Sequence, residues 1–161
     1  MRLRPRRPVI ARPGQPRLLV PFIAKQLDPT VLDVALRIAK VEGAVLVPAY
    51  LLVVPLEFSL DAPIQHDELQ HAMPILEAVE LAARRAGVPV DARMERGRTP
   101  TDALQRLWCE ETFDRIVVPA PAPGHPGFDA KDLAWMLTNA PSEILILRPG
   151  PNAAQRPPAP H

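Results

Sequence analysis

Unbroken apolar runs separated by amphipathic stretches lay out an alternation of strands and helices along this chain. Arg17-Leu-Leu-Val-Pro-Phe-Ile23 is a short continuous apolar run, the pattern of a strand buried on both faces. Asp28-Pro29-Thr30 then predicts a helix start, since Asp28 can cap exposed amides and Pro29 suits the first helical position. That helix runs to about Val41, with Val31, Val34, Ala35, Ile38 and Val41 on one stripe and Gly43 as its stop. A second strand follows at Ala44 to Val54, and Pro48 in its middle predicts a bend or a shorter strand. Phe58 to Gln65 reads as a connecting loop. His66 to Ala86 is a long amphipathic helix, with Leu69, Met73, Leu76, Val79, Glu80 and Ala83 at helical spacing, Pro74 as a site of kinking and Gly87 as its end. Val88 to Met94 alternates apolar with polar residues and predicts a third strand with one polar face. Thr99-Pro100-Thr101-Asp102 starts a helix that continues through Leu104, Leu107 and Trp108. Asp114 to Pro119 is the fourth strand, Asp129 to Asn139 a fourth helix and Glu143 to Arg148 the fifth strand.

Such β-α-β alternation predicts a parallel sheet with right-handed crossovers and helices on both faces. In sheets of this kind the binding crevice lies beyond the carboxyl ends of the strands, where strand order reverses. The loops that matter are therefore those after Ile23, Val54 and Pro119.

Composition changes this picture mainly at the ends. The chain has 161 residues, one domain by length, and 22 prolines against 7 glycines. Many of those prolines fall in residues 1 to 16, read as a flexible basic arm, and in 150 to 161, read as a disordered tail, leaving 17 to 149 as the folded domain. Arg2, Arg4, Arg6, Arg7, Arg12 and Arg17 supply six of the 19 basic residues, and no acidic residue occurs before Asp28. The remainder of the chain then holds 13 basic against 18 acidic groups, so a near-neutral total hides a cationic arm on an acidic body. The arm has no aromatic residue for stacking on bases and no reading module, so no specific nucleic-acid binding is expected. A single cysteine, Cys109, rules out an intrachain disulfide and a Cys-based metal site. With no secretory leader and no transmembrane run, the cytoplasm is the expected location.

The order of elements and several strings resemble the universal stress protein family over about residues 17 to 149. They are Arg17-Leu-Leu-Val, Met94-Glu-Arg-Gly-Arg-Thr-Pro-Thr-Asp-Ala-Leu, Phe113-Asp-Arg-Ile-Val-Val and Asn139-Ala-Pro-Ser-Glu-Ile-Leu-Ile-Leu-Arg-Pro149, the last being the most specific. The resemblance implies a Rossmann-like domain of the adenine nucleotide alpha hydrolase type, with a sheet ordered 3-2-1-4-5. It also implies a homodimer paired through the edge strand Glu143 to Arg148. ATP-binding members carry an acidic residue after the first strand, then Gly-x-x-Gly, nine residues, and Gly with Ser or Thr after the fourth. Here Pro21-Phe22-Ile23 occupies the acidic region. Gly124 and Gly127 match Gly-x-x-Gly, but Leu137 and Thr138 stand where Gly and Ser would follow, while anchoring from the Ala-Pro turn places Ala130-Lys131 there. Prolines 119, 121 and 123 remove donors that a phosphate needs. Gly124 and Gly127 are thus the candidate cofactor-binding residues of a degenerate site.

No other constellation suggests catalysis. His66 and His71, five apart, miss the spacing of a helical ligand pair and read as surface histidines, so no metal is expected. Cys109, beside Glu110 and Glu111, reads as a packed thiol. Ser59 and Ser142 have no nucleophile-elbow context. His125 falls in a crevice loop without an acidic partner recognisable in sequence. The expected function is a non-catalytic, stress-related binding or regulatory module needing no cofactor. The alternatives are an ATP or other adenine-nucleotide binder using a rearranged Gly124–Gly127 loop, and, with no matching signature, an adenylyl-transfer enzyme.

Overall fold

A computed structural model describes residues 10–23, 27–63 and 66–150, with the backbone alone for His66. The elements are β1 (Arg17–Phe22), α1 (Pro29–Glu42), β2 (Val45–Val53), α2 (His66–Ala86), β3 (Arg93–Gly97), α3 (Pro100–Glu110), β4 (Arg115–Pro119), α4 (Ala130–Asn139) and β5 (Glu143–Leu147). All strands pair in parallel, in the order β3-β2-β1-β4-β5. The expected arm and tail lie outside the described residues at 1–9 and 151–161. Between them and the sheet, Gln15 Nε2 donates to Gly43 O at 2.9 Å and Pro16 O accepts from Val45 N at 2.8 Å.

Side-chain alternation along the strands explains the two layers of helices. Leu18, Val20, Leu46 and Val117 face α1 and α2, where Val31, Ala35, Val79 and Ala83 cover them. Leu19, Val47, Ile116 and Val118 face α3 and α4, where Leu104, Leu107 and Met136 close the opposite core. Both faces of β1 are buried, which is why its sequence is a continuous apolar run rather than an alternation. Three helices begin where the sequence places caps: Asp28, Thr99 and Asp129 accept from the amides of Thr30, Asp102 and Asp132.

Several expectations need correction. The third strand is not Val88 to Met94. Val90 makes only an isolated bridge to Leu46, and the ladder proper is Arg93–Gly97. Pro89 has no amide to donate, and Pro48 on β2 leaves a gap between the Leu46↔Val90 bridge and the Ala49↔Arg93 pairing. β2 runs nine residues through Pro48 without interruption, because the lost bond falls in that gap. Val41 is not on the buried stripe of α1 but 86% exposed, because the helix turns Val31, Ala35, Leu36 and Ala39 inward. Met73 of α2 is likewise outward, its place taken by Ala72. The helix itself runs through Pro74 as one element.

At the amino-terminal end of the sheet, four charges join distant segments. Arg17 bonds Asp91 at 2.9 Å and Glu111 at 3.1 Å, and Arg93 bonds Asp91 at 3.1 Å and Glu111 at 2.5 Å. The Arg17 guanidinium also lies 5.7 Å from the Phe113 ring centre. Partial exposure keeps each pair within about 0 to 1 kcal/mol, but each charge serves two partners, so one ordering cost supports more than one bond.

Gly97 marks where β3 passes under the first turn of α3. A Cβ there would lie 2.3 Å from Ala103 N and 2.7 Å from Ala103 Cα, both backbone atoms. Gly97→Ala should therefore destabilise the domain by about 1 to 3 kcal/mol through overpacking. Thermal melts would show this as a loss of several degrees, and an unchanged midpoint would mean that α3 can move away freely.

Candidate functional site

Strand order reverses between β1 and β4. Their ladder is short, Leu18↔Arg115 and Leu19↔Ile116, and stops before Pro21, which has no donor to extend it. Beyond this point a cleft of ≈ 730 Å³ opens between the start of α1, the Pro74–Val79 stretch of α2 and Gly124–Pro126 of the β4–α4 connection. That volume suits a small-molecule ligand, for which roughly 300 to 1,000 Å³ is usual.

The wall supplied by the β4–α4 connection is built by its prolines and glycines. Ala122-Pro123-Gly124-His125 is a tight turn, with His125 N donating to Ala122 O at 2.9 Å and Gly124 at φ +75°, the conformation glycine adopts at no steric cost. Gly127 is required for another reason: a Cβ would lie 2.5 Å from the carbonyl carbon of Ala120 and 2.6 Å from Pro121 N, where the loop crosses its own beginning. Phe128 N then donates to Pro119 O at 3.1 Å, and the fully buried Phe128 ring anchors the loop in the α3/α4 core. Gly124 faces the cleft, whereas Gly127 serves the loop's own closure. The amides of Ala120, Ala122, His125 and Phe128 are all engaged within the chain, and Pro119, Pro121, Pro123 and Pro126 have none.

The turn delivers His125 to Asp28, a partner 97 residues away. Asp28 is 2% exposed. Its Oδ1 accepts from Thr30 N at 2.7 Å, and its Oδ2 meets Nδ1 of His125, whose side chain is 12% exposed. Sequence reading found each half separately, Asp28 as a cap and His125 as a crevice histidine, but not the pair. The missed signal is stoichiometric: a capping carboxylate uses one oxygen on its helix, and a buried one needs a donor for the other.

Carboxylates also hold the second helix start beside the reversal point. Asp129 accepts from Asp132 N at 2.8 Å, and burial together with the neighbouring Asp129 raises the Asp132 carboxyl above its ordinary range. Both amino termini that could receive an anion, of α1 and α4, are therefore occupied by the chain's own acids. Among the described residues the cleft is lined by no Lys or Arg.

The remaining candidates lie elsewhere. His71 Nδ1 donates to Asp67 O at 2.6 Å on α2, and the His66 side chain lies outside the described residues. Cys109 is exposed rather than packed, because α3 turns Leu104 and Leu107 inward instead. It borders a shallow recess beside the stacked Trp108 and Trp135 rings, whose centres are 5.6 Å apart. Ser59 lines a third recess at the end of β2, where Arg96 donates to the carbonyls of Leu60 and Ala62 and Arg98 to those of Val54, Pro55 and Phe58. These two arginines, which the sequence reading did not single out, clamp the β2–α2 connection. Among the described residues no three His, Cys, Asp or Glu side chains gather as for a metal, and no helix is long and apolar enough to cross a membrane.

The chain has the fold of the universal stress proteins. A universal stress protein in complex with cAMP aligns with a TM-score of 0.61 at 24% identity, covering 82% of this chain and 96% of that protein. One from Burkholderia pseudomallei gives 0.58 at 20% identity, covering 81% and 94%, and an AMP-bound family protein from Arabidopsis thaliana gives 0.57 at 13%, covering 89% and 97%. No protein-family model and no curated protein sequence matches the chain.

The Asp28–His125 contact predicts a measurable coupling. Asp28→Ala removes the α1 cap and a histidine partner, at an expected cost of about 1 to 3 kcal/mol. A double-mutant cycle with His125→Ala in denaturant unfolding should show coupling of roughly 0.5 kcal/mol or more. Strict additivity would reduce Asp28 to a cap alone.

Proposed function

We propose that this chain is a non-catalytic binding or regulatory module, in which the nucleotide cleft of its fold persists in place but no longer accepts a phosphate chain. One observation carries the reading: Asp28 and Asp129 cap the two helices that flank the reversal point. A phosphate brought there would meet carboxylates where the dipole and free amides of a helix start would otherwise favour an anion. The β4–α4 connection reinforces this, since its prolines have no donors and four of its amides are spent internally. The non-catalytic part rests on the cleft's composition: Ser59, Ser142 and Cys109 all lie outside it, so His125 has no serine or cysteine nucleophile beside it.

The second reading is adenine-nucleotide binding through Gly124 and Gly127. Its support is the AMP and cAMP complexes of proteins with this fold and the position of Gly124 on the cleft. Equilibrium dialysis with labelled ATP and magnesium separates the two. The expected result is no saturation below the millimolar range, and a micromolar dissociation constant, about −8 kcal/mol, would favour the second reading.

We further propose a homodimer through the edge strand β5. Among the described residues β5 pairs only with β4, leaving its other backbone edge open, and Leu145 and Ile146 are 36% and 37% exposed. Two copies related by a two-fold axis would pair antiparallel, each edge satisfying the other's donors and acceptors. Ile146→Lys should shift the mass from dimer to monomer in light scattering at tens of micromolar while leaving the melt largely intact. A wild-type chain already monomeric at that concentration would refute the dimer.

A further inference from the structure

The cleft specifies a ligand by its charge and by the acceptor that His125 offers. Among the described residues its wall combines apolar surface from α1 and α2, including Leu32, Ile75 and Val79, with the polar side chains of Asp28, Thr30 and His125, and has no Lys or Arg. Asp28 is buried, and both its oxygens are engaged. When the His125 ring is neutral, Nδ1 carries the proton to Asp28 Oδ2, which fixes the tautomer and leaves Nε2 a lone-pair acceptor. Nε2 has no protein partner among the described residues, and the ring lines the cleft.

From this geometry we infer that the switch-point cleft binds an uncharged molecule with an apolar, ring-sized body and a single N–H or O–H group donated to His125 Nε2. The proposal deepens the binding-module reading, on which it rests. An anionic ligand would be desolvated beside the Asp28 carboxylate with no compensating Lys or Arg among the described lining residues, whereas a neutral donor supplies the bond that Nε2 lacks. Asp28 acts as a positioning residue, holding the ring so that the acceptor stays directed to the ligand rather than rotating with the turn.

The test uses the full chain and N-phenyl-1-naphthylamine, an uncharged apolar probe with one N–H whose fluorescence rises on leaving water. Saturable binding in the micromolar range is expected. Ala78→Glu, which adds a charge from the exposed cleft face of α2 without touching the core, should weaken it by about tenfold or more. Displacement by 1-benzylnaphthalene, which replaces the N–H by a methylene, reads the handle. On the wild type it should bind several-fold more loosely than the amine, and His125→Phe should abolish that difference. Equal affinities of the two probes for the wild type, or binding insensitive to Ala78→Glu, would overturn the inference. Failure of both probe and Mg-ATP to bind overturns this ligand assignment alone, whereas micromolar displacement of the probe by Mg-ATP overturns the phosphate-excluding reading as well.

Discussion

The molecule is organised by the reversal of strand order between β1 and β4. Strands added outward from β1 in one direction put α1 and α2 on one face of the sheet, and strands added in the other direction put α3 and α4 on the opposite face. No crossover can cover the seam between them, so the chain must leave an opening there whatever its side chains. Pro21 widens the opening by ending the β1–β4 ladder early.

Much of the fold was legible because burial on both faces leaves a direct trace in sequence. Arg17–Ile23, Asp114–Pro119 and the Thr99-Pro100 helix start were readable from apolar runs and caps, which report local constraints. The failures share one cause. Val88–Met94 alternates as a strand should, yet its pairing depends on a proline about forty residues earlier in the neighbouring strand, and no local pattern records that. Val41 and Met73 fit a helical stripe by spacing but sit at its edge, where small rotations of the helix decide exposure.

The site was legible in outline and not in its central contact. The departures from the family pattern, proline for donors and no acid after the first strand, could be seen by inspection. What could not be seen is that a different acid has taken a place at the opening. Asp28 stands at the end of the β1–α1 connection, reads in sequence as a helix cap alone, and meets His125 because Pro123-Gly124 turns the later loop back toward it. Gly124 and Gly127, conspicuous as a motif, have distinct structural roles: one permits the turn and the other a crossing of backbone on backbone.

The charge cluster at the opposite end of the sheet bears on how the protein is made. Arg17 meets Asp91 and Glu111 across 74 and 94 residues, and Asp114 accepts from its amide across 97. During synthesis, β1 can pair with β2 early but has no second neighbour until β4 leaves the ribosome. At about 5 to 20 residues per second that interval lasts several seconds or more. The innermost strand of the finished sheet is therefore an edge strand throughout the synthesis of the residues between β2 and β4, with a hydrophobic run available to any other nascent chain. The demand on chaperones should fall on the β1–β2 pair, before β4 exists.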